Sequence, residues 1–178
     1  NHEKYIKDAI EGFLMQKTKF KYEILLHDDA STDRTPDIIK KYEQEYPDII
    51  KPIYEIENQY SQGKRVNFEF NYKRSKVKYI ALCEGDDYWT DPYKLQKQVD
   101  FLEQHTNFSM CFHSVEVIDE NGTELQEHWL ANTKVGKITT LKDIRKGNYI
   151  STVSTVIRNK SINSLKFFTL SDGLCFEN

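Results

Sequence analysis

The sequence predicts an α/β fold: a mostly parallel sheet with helices on both faces. Three observations predict it. Helix-like and strand-like hydrophobic patterns alternate from the start of the chain through residue 105. Two short apolar runs, around residues 22–27 and 79–83, read as buried strands, and each ends in a cluster of acids. The composition, 38% hydrophobic and 30% charged over 178 residues, suits one soluble globular domain with a sizeable core.

Each element has its own reason. Tyr5, Ile6, Ala9, Ile10, Phe13 and Leu14 recur at helical spacing, so residues 3–16 read as an amphipathic helix. Tyr22-Glu23-Ile24-Leu25-Leu26-His27 reads as a strand, and Asp28 to Asp33 as a polar loop. Thr35 suits an N-cap and Pro36 a first helical position, with Ile38, Ile39 and Tyr42 as the buried stripe of the next helix. A strand is expected over residues 50–56, a polar loop over 58–65 and a helix over 66–74. Tyr79 to Cys83 gives another strand, and Leu95, Val99 and Leu102 mark a helix over 92–105. Such alternation implies parallel strands joined by right-handed crossovers. After about residue 108 the pattern is less regular and more antiparallel: a strand over 110–117, a turn at Asn121-Gly122, a short helix over 140–146 and a β-branched stretch over 149–158.

Charge and cysteine count exclude several classes. Lys plus Arg is 25 and Asp plus Glu is 28, giving a net charge of −3, which argues against a strongly basic nucleic-acid binder. No apolar run has the length of a membrane span. Cys83, Cys111 and Cys175 are odd in number and widely spaced, against a disulfide framework or zinc site and in keeping with a reducing cytoplasm. The chain opens Asn1-His2-Glu3 without Met, directly before a helical pattern, as expected of a fragment.

The chemistry is concentrated in the two acidic loops, Asp28, Asp29 and Asp33 after one strand and Glu84, Asp86 and Asp87 after the other. Strands of one parallel sheet would bring both loops to one edge, outside the carboxyl ends, where α/β sheets bind ligands. Carboxylates gathered there repel unless a cation joins them, and a hard divalent ion, Mg²⁺ or Mn²⁺ bound to substrate phosphates, is the simplest partner. Lys64 and Arg65 could meet phosphate charge from a loop at the same edge. Tyr88 and Trp89, directly after the second acidic turn, suggest a pocket wall. The opposing readings are plain: Asp-Asp after a strand often only caps a helix, and Trp89 can be ordinary core. His27 and His113 read as structural. The basic run from Lys73 to Lys78 reads as a solvated face that could approach an anionic membrane.

These loops resemble glycosyltransferase family 2. Asp28-Asp29-Ala30-Ser31-Thr32-Asp33 is similar to its D-D-x-S-x-D signature, and Glu84-Gly85-Asp86-Asp87 stands where the family has its D-x-D-type metal motif. The run from Tyr79 through Tyr88-Trp89-Thr90-Asp91-Pro92, then Lys94-Leu95 and Gln98, resembles bacterial members that assemble surface polysaccharide. The likeness covers residues 1–160 and is strongest through residue 105. It implies the GT-A, Rossmann-like nucleotide-diphospho-sugar transferase fold, with its first strand missing from the chain. It also implies a nucleotide-sugar-binding part over 1–107 and an acceptor-side part of the same domain over 108–178.

The resemblance also implies an inverting, metal-dependent hexosyltransferase using a nucleotide sugar, with UDP expected, and a saccharide or lipid-linked saccharide acceptor. No nucleic acid partner is expected, and the location implied is cytoplasmic, at the inner face of the membrane. It puts Asp29 on the base with Asp28 beside it, Asp86 on the ribose or sugar, Asp87 on Mn²⁺ or Mg²⁺, and Gly63, Lys64 and Arg65 in the nucleotide loop. Glu84 departs from the aspartate form of the motif. Asp172, in Ser171-Asp172-Gly173, is the candidate catalytic base, with Glu177 behind it. Two other readings remain open from the residues: a phosphoryl-transfer enzyme, which would need a lysine at a later strand end, and a degenerate domain that binds nucleotide without turnover.

Overall fold

A computed structural model describes residues 1–125, 138–145, 149–159, 167–170 and 173–176. They fall into two compact units, one of Asn1–Val77 with Cys83–Lys97 and one of Lys78–Leu82 with Gln98–Asn178.

In the first unit, helix α1 (Ile6–Leu14) buries Ile6, Ala9, Ile10 and Phe13, as its periodicity requires. Gly12 on the same helix lets the backbone of Trp89 approach closely: a Cβ there would lie 2.9 Å from both the Trp89 nitrogen and oxygen. Strand β1 (Ile24–Asp28) pairs in parallel with β2 (Ile50–Tyr54), with Ile24 opposite Ile50 and Asp28 opposite Tyr54. Ile24, Leu26 and Asp28 are buried in alternation, so the strand delivers a carboxylate to its carboxyl end on the buried side. Helix α2 (Thr35–Glu45) joins the two strands, with Pro36 in its first turn and Thr35 and Ile39 buried.

A 3₁₀ turn (Tyr60–Gln62) follows, and then a π-helix (Asn67–Tyr72) where the sequence predicts an ordinary helix. Side chains at and just beyond its end explain what it does. Asn71 Nδ2 donates to the Leu25 carbonyl (3.2 Å), and the Arg74 guanidinium donates to the carbonyls of Leu26 (3.1 Å) and Lys51 (2.7 Å). The two side chains therefore clasp β1 to β2. Arg74 is half-buried on these carbonyls, so it departs from the solvated face expected for residues 73–78, and that burial lowers its pKa.

In the second unit, β3 (Tyr79–Ala81) and β4 (Met110–Cys111) flank β7 (Val156–Arg158), both antiparallel to it. Leu82 N–H to the Thr155 carbonyl (3.1 Å) and Asn159 N–H to the Lys78 carbonyl (2.9 Å) extend the ladder beyond β3. The sequence predicts β3 in one parallel sheet with β1. Parallel pairing is present at β1–β2, whereas the hydrogen-bonded partner of β3 is the β-branched stretch near residue 156.

Helix α3 (Lys94–Gln104) begins in the first unit and continues into the second, where Leu102 is fully buried and Gln98 Nε2 donates to the Ser154 carbonyl (2.8 Å). Arg158 donates to the Phe108 carbonyl (2.8 Å) and the Tyr79 hydroxyl (2.8 Å). The expected single strand over 110–117 is two short ones, β4 and β5 (Val117–Ile118). The latter pairs with β6 (Glu124–Leu125) across the Asn121-Gly122 turn, where Gly122 has φ 78°. Helix α4 (Leu141–Ile144) and the hairpin of β8 (Phe167–Leu170) with β9 (Gly173–Phe176) complete the described elements. Among the described residues no helix is long and apolar enough to cross a membrane.

Candidate functional site

The first acidic loop begins where β1 ends. The Asp28 carboxylate is buried and accepts the Ser31 N–H (3.3 Å), which folds the chain back on itself. Ala30, inside that turn, has φ 60°, the left-handed conformation that a side chain resists.

Asp29 turns the other way. Its Oδ1 accepts the Gln59 N–H (2.7 Å), its Oδ2 accepts the Tyr60 N–H (3.0 Å), and its carbonyl accepts Asn58 Nδ2 (3.0 Å). The polar loop after β2 is thus seated on Asp29. The loop is braced internally as well: Gln59 Nε2 donates to the Glu57 carbonyl (2.7 Å), and Lys64 Nζ donates to Gln59 Oε1. Gly63 closes the 3₁₀ turn at φ 77°. Lys64 and Arg65 are exposed at its end.

The rest of the signature ties down the start of the chain. Asp33 accepts the Glu3 N–H (3.0 Å) and the Thr35 N–H (3.0 Å), Thr32 N–H donates to Asn1 Oδ1 (2.7 Å), and His2 N–H donates to the Thr35 hydroxyl (2.7 Å). Desolvation raises the Asp33 pKa, but the hydrogen bonds from Thr35 and Glu3 outweigh it and hold the carboxyl at about 2.

His2 is also where the second acidic loop arrives. A Cβ on Gly85 would lie 3.3 Å from the His2 ring, so the turn rests closely on the imidazole and a larger residue 85 would have to displace it. Residues 1–3 therefore join the two acidic loops. In the turn at residues 84–87, Asp87 N–H donates to the Glu84 carbonyl (3.4 Å). The Cys83 thiol donates to the carbonyls of Glu84 (3.4 Å) and Asp87 (3.5 Å), and burial first, then the Asp87 charge, pushes its pKa far up. Burial, then the charges of Asp87 and Asp86, raises Glu84. Burial, then the Asp86 charge, raises Asp87 against a lowering hydrogen bond from Glu84. These carboxylates raise one another's pKa values.

Their chemistry fits a hard divalent ion. The donors are all carboxylate oxygens, the ligand type of such ions; among the described residues no group of three or more His, Cys, Asp or Glu side chains is placed to hold a metal ion.

Other candidates fall elsewhere. Trp89, expected as a pocket wall, is buried: its indole stands edge-on to Phe13 (centroids 4.8 Å apart) and lies under Lys94 Nζ (4.1 Å). These contacts pack the side chain into the first unit. The His27 ring is buried between Phe70 (4.6 Å) and Glu55, whose Oε1 is 3.4 Å from Nε2. Asp172 and Glu177 lie outside the described residues. Sequence reasoning missed Asn58 and Gln59 as the partners of Asp29, His2 as the contact of Gly85, and the buried charge of Lys94. Only the last left a signal: Lys94 shares a helical stripe with Gln98 and Leu102, a core-facing pattern that begins with a cation.

Comparison with known proteins gives one consistent result. The sequence pattern of the family described as glycosyl transferase family 2 matches residues 1–165. An uncharacterised protein of Mycobacterium tuberculosis is 41% identical over 164 residues, covering 90% of this chain and 45% of its own length. TuaG of Bacillus subtilis, provisionally named a teichuronic acid biosynthesis glycosyltransferase, is 30% identical over 155 residues, 80% of this chain and 58% of its own length. The crystal structure of residues 1–349 of S. aureus TarS superposes with a TM-score of 0.64 at 22% identity, over 92% of this chain and 46% of that one. The chain spans about half the length of the curated relatives it matches.

Proposed function

Since this chain belongs to glycosyl transferase family 2 and has the GT-A fold, we propose that it moves a sugar from a nucleotide-diphosphate donor, with UDP the expected carrier, to a hydroxyl of a saccharide acceptor. The observation that carries this reading is the joining of two acidic loops through His2 and Gly85, one of them a turn whose carboxylates raise one another's pKa values. The name of TuaG supports a bacterial surface polymer as the product.

In this reading Asp87 holds Mn²⁺ or Mg²⁺ and Asp86 orients the ribose or the transferred sugar. A bound divalent ion would neutralise charge on the departing diphosphate. The loop seated on Asp29 forms the nucleotide side, with Asp28 behind it and Lys64 and Arg65 offering positive charge to the phosphates. The acceptor oxygen attacks the anomeric carbon as the bond to the diphosphate oxygen breaks, inverting that carbon. The acceptor proton passes to Asp172 or to an acid outside this chain. Holding donor and acceptor in line supplies much of the acceleration.

The test is calorimetric binding of UDP to the full-length protein with and without Mn²⁺. Binding that requires the ion and is lost in Asp87→Ala supports the reading. Metal-independent binding, or full transferase activity in Asp87→Ala, removes Asp87 from the metal site.

A further inference from the structure

We propose that His2 belongs to the donor site and binds a ribose hydroxyl of the nucleotide through its imidazole. The inference rests on the nucleotide-sugar reading above and adds a residue to it.

Gly85 fixes where the ring lies. A Cβ on Gly85 would meet His2 Cγ at 3.3 Å, His2 Cδ2 at 3.4 Å and Ile6 Cδ1 at 3.5 Å. The turn at residues 84–87 therefore lies on carbon atoms of the His2 ring, beside the buried Ile6. Asp86 and Asp87 follow Gly85 directly, and the reading above gives them the ribose or sugar and the metal.

The main chain of His2 is held independently of the turn. Its N–H donates to the Thr35 hydroxyl (2.7 Å), and its carbonyl accepts the N–H groups of Tyr5 (2.9 Å) and Ile6 (2.8 Å) at the start of α1. The side chains on either side are engaged with the first acidic loop and the residue after it. Asn1 Oδ1 accepts the Thr32 N–H (2.7 Å), and Glu3 Oε2 accepts the Arg34 N–H (3.0 Å). His2 is half-buried, and among the described residues neither of its ring nitrogens has a hydrogen-bond partner. Half-buried polar atoms without a protein partner are paired by water. A ligand hydroxyl replaces that water on a ring already seated against Gly85, so little ordering remains to oppose binding.

The order of parts along the ligand selects the ribose. A nucleoside diphosphate runs from base to ribose to diphosphate. In the reading above the base lies with the loop seated on Asp29, and the diphosphate lies with the ion on Asp87. His2 reaches both acidic loops, the first through Thr35, whose N–H is held by Asp33, and the second through Gly85. The part of the nucleotide between those two ends is the ribose. Its hydroxyls donate and accept, and so do the two nitrogens of an imidazole.

The experiment is calorimetry on the full-length protein with Mn²⁺, using UDP, 2′-deoxy-UDP and 3′-deoxy-UDP. His2→Phe keeps a ring against Gly85 and removes both nitrogens. In the unsubstituted protein at least one deoxy analogue is expected to bind about three- to tenfold weaker than UDP, the effect of one neutral hydrogen bond. His2→Phe is expected to bind UDP weaker by a similar factor and to discriminate less against that same analogue. A residue that only positions the turn would weaken all three nucleotides equally and leave the discrimination intact, and that result overturns the proposal. So does a folded His2→Phe that binds UDP as the unsubstituted protein does, or an unsubstituted protein that binds all three nucleotides alike. His2→Leu replaces His2→Phe if the latter loses its near-ultraviolet circular dichroism. If the unsubstituted protein binds no UDP with Mn²⁺, the functional reading fails and this proposal with it. Normal UDP binding there, with discrimination intact in the folded variant, removes His2 alone.

Discussion

Asp29→Ala separates two roles for the first acidic loop. Asp29 receives the amides of Gln59 and Tyr60 at 2.7 and 3.0 Å. A hydrogen bond to a charged acceptor contributes about 1.5–3 kcal/mol. The Tyr60 amide is exposed and regains water when the carboxylate is removed, so the part-buried Gln59 amide carries most of the loss. The loop at residues 57–64 should then open more easily by about 2–3 kcal/mol. That corresponds to amide exchange about 30- to 150-fold faster. Hydrogen exchange read by mass spectrometry, without nucleotide, measures it on peptides spanning residues 57–64, with β1 as the internal control. Unchanged exchange in that loop, together with lost UDP affinity, would refute the reasoning: Asp29 would then act on the nucleotide alone.

Three further outcomes are expected. Gly12→Ala forces a Cβ to 2.9 Å from the Trp89 backbone and should destabilise the protein by about 1–3 kcal/mol, seen as a lower Tm in a thermal melt. Ala30→Gly relaxes the φ 60° position and should be neutral or stabilise by up to about 1 kcal/mol by the same measurement, with a clear loss of stability ruling the strain out. Glu84 and Asp87 have raised pKa values in the fold, so the folded state binds more protons than the unfolded one. Their contribution to stability is therefore full below the ordinary carboxylate range and falls as pH rises through the raised folded values. Urea melts across that window should show the slope, and Glu84→Gln should flatten it. A slope equal in both proteins would show that the pair does not titrate as described.

Some of this molecule was readable from residue patterns. The α1 stripe, the β1 run, Pro36 opening α2 and the Asn121-Gly122 turn are all local, and each formed where its pattern put it. The π-helix was not readable, because its shape goes with carbonyls of β1 and β2 that Asn71 and Arg74 reach through space. The same holds for the partner of β3: a β-branched stretch signals a strand but not which edge it joins. At the site, the two acidic loops were visible as motifs. Their division of labour was not, since the partners of Asp29 and Asp33 lie at residues 59, 60 and 3. Trp89 reads the same whether it faces a ligand or a lysine, and only packing decides.

The clasp made by Asn71 and Arg74 also bears on the order in which the chain folds. β1, α2, β2 and the π-helix complete one another within residues 24–74, so this piece needs only short-range loop closure. β3 must wait for a partner far along the chain, since Tyr79 pairs with Arg158. The Asp28–Asp29 half of the site is therefore expected to be in place early. The turn at residues 84–87, which directly follows β3, is expected to settle late. A folding intermediate captured in pulse-labelled exchange should protect β1 and β2 while β3 still exchanges freely.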